Sequence, residues 1–218
     1  MAKRPARPKT KSAGPPPPGR RERIVAAALD AFVANGIAPT TMRDVAKRAD
    51  VDPPLIHYYF KDIESLHLAV IALALEELKE YSLREAEKHP ERPERWMAEY
   101  IKAPLTWIRD RPERMFLWVY FYTLAAKPGP GPFRSLNDQI RKVGRDRIRM
   151  KVFEGVERGV FHLPDGLTAA EAALEIQSWM TGSAIIFATE NEIGYERSVR
   201  TLHRRIFSFL GVADSART

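Results

Sequence analysis

The sequence predicts an all-α protein with about nine helices. From residue 20 onward apolar residues recur at intervals of three and four, and no run of alternating residues indicates a strand. Capping residues and Pro-Gly clusters divide this pattern into segments of helical length. With 218 residues, 44% of them hydrophobic, the chain can bury the core of one large domain or two small ones.

The composition excludes several classes of protein. The absence of cysteine rules out disulfides and thiolate metal sites, and it agrees with a reducing compartment. The longest apolar stretches, residues 66–75 and 116–126, are shorter than the ~20 residues that a helix needs to span a bilayer. The basic start has no apolar run behind it, unlike a secretory signal. We therefore expect a cytoplasmic protein.

The excess positive charge is concentrated at the start of the chain. Residues 1–23 carry eight Lys or Arg and one acid, whereas the other 27 basic residues of the total of 35 are matched by 27 acidic ones. Residues 1–19 also hold six prolines and almost no large apolar side chains, which predicts a disordered, extended arm. Such an arm is either merely solvated or tracks the phosphates of a nucleic acid.

The first four helices are bounded by clear signals. Asn35-Gly36 ends the first, and Thr41 with Asp44 forms a capping box that opens the second. Asp52-Pro53 opens the third, as an N-cap acceptor followed by a proline at the first helical position. We predict these helices at residues 20–35, 41–49, 53–59 and 62–88.

Five further helices follow. Pro90 and Pro93 open the fifth, and Arg111-Pro112 separates it from the sixth. Residues 127–132 form a rigid Pro-Gly loop, and Thr168 with Glu171 forms a second capping box. We predict the last three helices at residues 135–159, 168–190 and 195–210.

Residues 40–66, TTMRDVAKRADVDPPLIHYYFKDIESL, are the most informative part of the chain. Ala46 permits close helix contact, and the residues spaced to fill the space between two crossed helices are Val45, Val51, Ile56 and Phe60. The opposite side of the third helix carries Pro53, Pro54, Leu55, His57, Tyr58 and Lys61. An exposed face this rich in aromatic groups requires a partner, and the major groove of DNA admits a helix. The alternative is that the aromatic cluster is core, its commoner role.

This segment resembles the helix-turn-helix of the TetR/AcrR family of bacterial transcriptional regulators. The matching residues are Thr41, Arg43, Val45, Ala46, Ala49, Val51, Asp52, Ile56, His57, Tyr59, Phe60, Lys61 and Leu66. The resemblance is close over residues 20–80 and architectural beyond. It implies a three-helix DNA-binding domain at residues 20–66, an effector-binding and dimerisation domain at 67–211 and a tail at 212–218. It also implies a nucleoid-associated repressor, or an activator of the same fold, without a cofactor.

Three positions depart from the family pattern. Asp50 stands where a glycine is usual in the turn, and aspartate tolerates left-handed geometry better than most residues. His57 replaces the tyrosine that commonly opens the aromatic cluster, and Ile63 replaces a phosphate-binding lysine. Lys61 is the obvious substitute for that lysine.

The resemblance and side-chain chemistry together assign contacts with double-stranded operator DNA. The residues expected to hold phosphates are Thr40, Thr41, Tyr58, Tyr59 and Lys61. Arg43 is expected to bind guanine O6 and N7, whereas Pro53, Pro54 and Leu55 contact thymine methyls. His57 suits either role. Because Pro54 has no N–H, Asp52 is expected to cap the third helix only through Leu55.

The resemblance implies an effector cavity and a dimer interface in the second half of the chain. The residues expected to line a cavity for a small apolar or aromatic effector are Trp96, Tyr100, Trp107, Trp118, Phe121 and Tyr122, although core packing is the commoner role of any one of them. The apolar stripes of the last two helices are expected to form a four-helix bundle in a homodimer, through Ile176, Met180, Ser183, Phe187, Leu202 and Ile206.

The sequence leaves two other classes of function open. Against an enzyme, the sequence has no G-x-S-x-G, no glycine-rich phosphate loop, no H-E-x-x-H and no cysteine nucleophile. Its five histidines have no metal-ligand spacing. A helical small-molecule-binding protein without DNA binding is the second alternative.

Overall fold

The computed structural model of the chain describes residues 19–190 and 192–212. Over these residues the fold is all-helical, with nine α-helices, a 3₁₀ turn at Pro112–Arg114 and no strand, which confirms the predicted fold class. The predicted basic arm, apart from Gly19, and the predicted tail, apart from Val212, lie outside the described residues. No helix in the described part of the chain is both long enough and apolar enough to cross a membrane.

The helix boundaries follow the capping and proline signals. The nine helices are α1 Arg20–Asn35, α2 Met42–Ala49, α3 Pro53–Tyr59, α4 Ile63–Ala86, α5 Pro93–Asp110, α6 Met115–Ala125, α7 Pro132–Glu157, α8 Ala169–Thr189 and α9 Tyr195–Phe209. The helix α7 begins at Pro132, three residues before the predicted start, because a proline at the first helical position gives up an N–H that has no intrahelical partner. Pro90 lies outside α5, which begins at Pro93.

The chain divides into two compact units, Met1–Leu66 and His67–Thr218. In the first, α1 packs against α2 and α2 against α3. The core of this unit is formed by buried side chains from all three helices, including Ile24, Phe32, Val45 and Ile56. Asp50 has a φ of 52° and ends α2 in the left-handed conformation. The turn is therefore formed with aspartate in place of the usual glycine, as expected.

In the second unit α5 contacts α7, α8 and α9, while α7 packs along α8. Buried side chains of these helices fill the core, among them Met97, Ile101, Ile148 and Ile176. A separate cluster joins α4 to α6 and α7 through Ile71, Phe121, Ala125 and Phe133. The helices thereby surround the cavity described below.

Candidate functional site

The start of α2 is held by a complete capping box. The Thr41 backbone N–H and hydroxyl both donate to Asp44 Oδ2, at 2.8 and 2.6 Å, and the Asp44 N–H donates to Thr41 Oγ1 at 3.3 Å. The hydrogen bond from the Thr41 hydroxyl, and after it the one from the Thr41 backbone N–H, hold the pKa of the Asp44 carboxyl below its usual value. The box fixes where α2 begins and thus the position of the adjacent exposed Arg43.

The helix α3 separates its core side from its solvent side as the sequence predicts. Ile56 and the following Phe60 are buried, whereas His57 and Tyr58 are exposed, and the Tyr58 side chain has 79% of its surface accessible. The rings of Tyr58 and Tyr59 meet edge to face at 5.1 Å between centroids. The other predicted α3 contact residues are accessible: Pro53 and Pro54 are exposed, and Leu55 and Tyr59 are half-buried. The aromatic cluster is thus largely surface, and the core alternative applies only to Phe60.

The capping of α3 differs from the expectation. The Asp52 side chain makes no capping hydrogen bond, and the Leu55 N–H donates instead to the Asp52 backbone carbonyl at 2.9 Å. Because Pro53 and Pro54 have no N–H to offer, the backbone turn satisfies the first available donor without the carboxylate. The Asp52 carboxylate therefore lies exposed at the start of the helix.

Thr40 has an internal role in place of the phosphate contact predicted for it. Its side chain is buried, and its hydroxyl donates to the Gly36 carbonyl at 2.6 Å. This bond ties the end of α1 to the start of α2, so we assign no phosphate to the Thr40 hydroxyl. Thr41 is exposed, but its donors are engaged with Asp44.

Exposed basic side chains accompany this surface. Arg43 and Lys61 were predicted, and Lys47 and Arg48 join them on the exposed side of α2. Within residues 19–66 none of these four has an ion-pair partner, although the segment holds seven Lys or Arg and seven Asp or Glu. Lys47 and Arg48 were missed because lysine and arginine in the last turn of a helix are usually explained by their favourable interaction with the negative end of the helix dipole. The exposed face of α2 and α3, with Lys61, is called the α2–α3 surface below.

A cavity of about 350 Å³ lies within the second unit, lined by residues of α4, α5, α6, α7 and α8. Four of the six predicted ligand-binding residues line it, namely Tyr100, Trp118, Phe121 and Tyr122. Trp96 and Trp107 do not. Both are buried core residues: Trp96 stacks on Tyr100 at 4.6 Å and donates from its indole N–H to Glu87 at 3.0 Å, while Trp107 packs against Trp118. The residue types of Trp96 and Trp107 indicated that their side chains pack against apolar groups, but they did not indicate which side of α5 faces the cavity.

Polar groups from α7 and α8 complete the cavity lining. Arg141 donates to the Tyr122 hydroxyl at 2.7 Å and also to the Thr181 hydroxyl. The Gln177 side-chain amide donates to the Arg141 carbonyl at 3.0 Å. Arg141 and Gln177 were not predicted, because a polar residue on an amphipathic helix normally indicates a solvent-facing position. Only the packing of α7 on α8 and α6 turns them toward the cavity.

The predicted dimer stripe is corrected by the structure. Ile176, Leu202 and Ile206 are buried within the subunit, so they are core residues and cannot contact a partner. Met180 lines the cavity, Ser183 is half-buried, and Phe187 is half-buried against Tyr195. The apolar residues that α8 exposes lie elsewhere: Leu174, Ile185 and Ile186, with the exposed small residues Ser178 and Gly182 between them. Residues 174, 178, 182, 185 and 186 are called the α8 face below.

Comparisons with known proteins agree with this architecture. Residues 24–70 match the family model described as bacterial regulatory proteins, tetR family. The HTH-type transcriptional regulator BetI of Rhizobium meliloti (strain 1021) is 31% identical over 110 residues, which are 50% of this chain and 54% of that protein. The matched segment therefore spans about half the length of that relative.

Solved structures share the fold along most of the chain. A TetR transcription regulator from Haloarcula marismortui ATCC 43049 superposes with a TM-score of 0.73 at 18% identity, over 88% of this chain and 96% of that one. A bacterial regulatory protein in the tetR family from Rhodococcus RHA1 gives a TM-score of 0.65 at 21% identity, over 91% of this chain and 100% of that one. Residues 24–70 thus match the tetR family of bacterial regulatory proteins in sequence, and most of the chain shares the fold of solved structures that carry that family's name.

Proposed function

We propose that the protein is a ligand-responsive transcriptional repressor that binds operator DNA as a homodimer and is released when a small molecule fills the cavity of the second unit. The observation that carries the proposal is the solvent exposure of His57 and Tyr58 on a short helix whose opposite side is core. The family match covers this helix. The enzyme alternative is set aside because the family and the matched relative are named as regulators.

The roles on DNA follow from the accessibility of each side chain on the α2–α3 surface. Arg43 is exposed without an ion-pair partner among the described residues, so its fork is available for guanine O6 and N7. Tyr58, Tyr59 and Lys61 would hold phosphates, which fix register without reading sequence. Pro53, Pro54 and Leu55 would contact thymine methyls, so recognition by α3 depends on shape and apolar contact. His57 suits a phosphate or a base.

Fluorescence anisotropy with the upstream region of the protein's own gene tests the proposal. The Arg43→Ala variant should lose roughly 1–3 kcal/mol of specific affinity, about 5- to 150-fold. The double variant His57→Ala/Tyr58→Ala should also bind more weakly. Arg149→Ala, which removes an exposed arginine from α7, is the matched control and should bind as the wild type does. Binding by the double variant as tight as wild type, with excess competitor DNA present, would refute the DNA-binding role of α3.

The basic segment before α1 supplies the net charge that the first unit otherwise lacks. Residues 19–66 are neutral overall, whereas residues 1–18 carry five Lys or Arg and no acid. Deleting residues 1–18 should weaken operator binding and flatten its dependence on salt. Since each neutralised phosphate contributes about −0.9 to the slope of log K against log salt, the slope should fall in magnitude by up to about 4.5 per protomer. An unchanged slope would remove this segment from the mechanism.

We assign the dimer contact to the α8 face, with a second copy of the chain as its partner. Leu174 is 52% and Ile186 44% exposed, and the small Ser178 and Gly182 between them permit close approach of a second helix. The exposed side of α9 is instead rich in arginine. Leu174→Glu/Ile186→Glu should be monomeric in analytical ultracentrifugation. The matched control is Met150→Glu/Phe153→Glu, on the exposed apolar side of α7, which should remain dimeric. A monomeric control together with a dimeric α8 variant would overturn the assignment.

The release step is a shift between two states of the dimer. An effector weakens DNA binding only if it binds more tightly to the state that no longer matches two successive major grooves. The helix α4 begins in the first unit, and its residues Ala72, Leu75 and Leu78 line the cavity of the second. It is therefore the continuous element through which cavity filling would be transmitted.

A further inference from the structure

The charged side chains that line the cavity do not cancel. Its acidic residue, Glu76, forms an ion pair with Lys79, which also lines the cavity. Two arginines of α7, Arg141 and Arg147, complete the charged lining, and neither has an acidic partner among residues 19–190 and 192–212. The cavity thus presents two positive charges without counter-charges.

Arg141 is held in place by neutral groups only. Its guanidinium donates to the hydroxyls of Tyr122 and Thr181, and it lies 5.2 Å from the centroid of the Tyr122 ring. These contacts fix the orientation of the fork but leave its charge uncompensated, and a guanidinium has about five N–H donors to offer. A half-buried cation in a low-dielectric pocket favours an anion as its remaining partner.

The buried polar atom of the lining that has no hydrogen-bond partner is a donor as well. The Trp118 indole N–H is buried, and no acceptor for it exists in the described part of the chain. Arg147 lies beside the Tyr100 hydroxyl: burial raises the pKa of Tyr100, and the charge and hydrogen bond of Arg147 oppose that rise. Gln177, by contrast, uses its amide on the Arg141 carbonyl and its oxygen on Arg145. Apart from Glu76, which is paired with Lys79, the lining has no acceptor that carries negative charge.

The rest of the lining is apolar and limits the size of the ligand. Leu75, Phe121, Ile140 and Met180 contribute hydrocarbon surface around the two arginines. A volume of about 350 Å³ lies near the lower end of the roughly 300–1,000 Å³ that is typical of small-molecule sites. The space suits one ring with a short chain rather than a polycyclic compound.

We propose that the effector of this protein is a small organic carboxylate, whose acid group binds the Arg141 fork and whose aromatic or aliphatic body packs against Phe121 and Met180. The regulatory consequence rests on the function proposed above, but the binding preference does not. Neutral and cationic compounds with the same body should bind more weakly, because they leave the two guanidinium charges without a partner.

Isothermal titration calorimetry of the full chain at pH 7 tests this preference with three probes that share one body: 4-phenylbutanoate, 4-phenylbutanamide and 4-phenylbutan-1-amine. We expect the carboxylate to bind at least about tenfold more tightly than the amide, because hydrogen bonds to charged groups are the stronger class. The amine should bind most weakly. Equal affinity for the three probes, tighter binding of the amine, or no heat with any probe would overturn the proposal.

Single substitutions test whether Arg141 causes the preference for the carboxylate over the amide. Arg141→Gln should abolish the difference between carboxylate and amide, and Arg141→Lys should retain part of it because the charge remains. Arg149→Gln, an exposed arginine of the same helix outside the cavity, is the matched control and should keep the full preference. If Arg141→Gln does not fold, as judged by its thermal transition, Arg147→Gln should reduce the preference in its place. A full preference in the folded Arg141→Gln variant would overturn the assignment of the acid group.

Operator binding measured without any ligand separates this inference from the proposed function. A protein that binds 4-phenylbutanoate selectively but shows no specific DNA binding would refute the regulator and retain the ligand class. Specific DNA binding without preference for the carboxylate would refute the ligand class and retain the regulator.

Discussion

Gly155 in α7 is a position where a single methyl group should destabilise the second unit. A Cβ atom there would lie 2.1, 2.5 and 2.7 Å from three carbons of the Phe161 ring, whereas carbon atoms in contact are normally about 3.5–4.0 Å apart. The ring is only 1% exposed and cannot swing into solvent. The backbone beside it is also fixed, since the N–H groups of Val160 and Phe161 donate to the Gly155 carbonyl at 2.8 and 3.0 Å.

Two opposing effects set the size of the change in Gly155→Ala. Alanine in a helix interior contributes about 1 kcal/mol of stability over glycine. Overpacking a core costs roughly 1–3 kcal/mol, and three overlaps on one immobile ring place this case near the upper limit. The expected result is therefore a net loss of about 2 kcal/mol in the free energy of unfolding.

Urea denaturation followed by tryptophan fluorescence measures this loss, because all four tryptophans lie in the second unit. The double variant Gly155→Ala/Phe161→Leu supplies the control, since a smaller side chain at residue 161 relieves the overlap. Its loss should be smaller than the sum of the two single losses by more than about 1 kcal/mol, whereas independent sites add to within roughly 0.5 kcal/mol. Additive losses, or a stabilised Gly155→Ala, would refute the steric argument.

Four further predictions concern the cap, the core and the cavity. Thr41→Ala should cost the first unit about 1 kcal/mol in a circular dichroism melt. Because its folded pKa is lowered, Asp44 stabilises the fold above its unfolded pKa of 3.8, and this effect is lost as pH falls through the folded pKa. The Asp44→Asn variant should therefore be less stable than wild type at pH 7, and its stability should change less on acidification. An equal dependence of stability on pH in the two proteins would contradict this. Ile176→Ala should lower the free energy of unfolding by about 2–5 kcal/mol, whereas Leu174→Ala should change the stability of the monomer by no more than about 0.5 kcal/mol. Similar losses in the two variants would contradict the corrected dimer face. Trp96→Phe should leave the affinity for 4-phenylbutanoate unchanged, and a marked loss would place Trp96 in the site.

Much of the first unit could be predicted from the sequence because its structure is local. The turn at Asp50, the capping box of Thr41 and the proline start of α3 each involve residues a few positions apart, and together they fix which side of α3 is core. The alternation of buried Ile56 and Phe60 with exposed His57 and Tyr58 follows from those boundaries. The hydrogen bond of the Thr40 hydroxyl to the Gly36 carbonyl was missed because residue type does not show that this threonine side chain is buried.

The second unit shows what periodicity leaves undecided. The stripe of Ile176, Leu202 and Ile206 is apolar, as the sequence indicates, but an apolar stripe fits a core and a partner subunit equally well. The structure places it in the core and exposes Leu174 and Ile186 instead. Apolar and small residues occur almost all round α8, so periodicity does not show which of them face solvent, and only the packed fold reveals the α8 face.

By itself the sequence determined the helical class, most of the helix boundaries and the solvent-facing side of α3, since each depends on hydrogen bonds and side-chain spacing within one or two turns of helix. Tertiary structure alone decided which tryptophans border the cavity and that Arg141, rather than facing solvent, meets Tyr122 and Thr181 inside it. The physical reason is that a cavity is the space left between helices distant in sequence. Its chemistry depends on how α6, α7 and α8 pack, which no local pattern specifies.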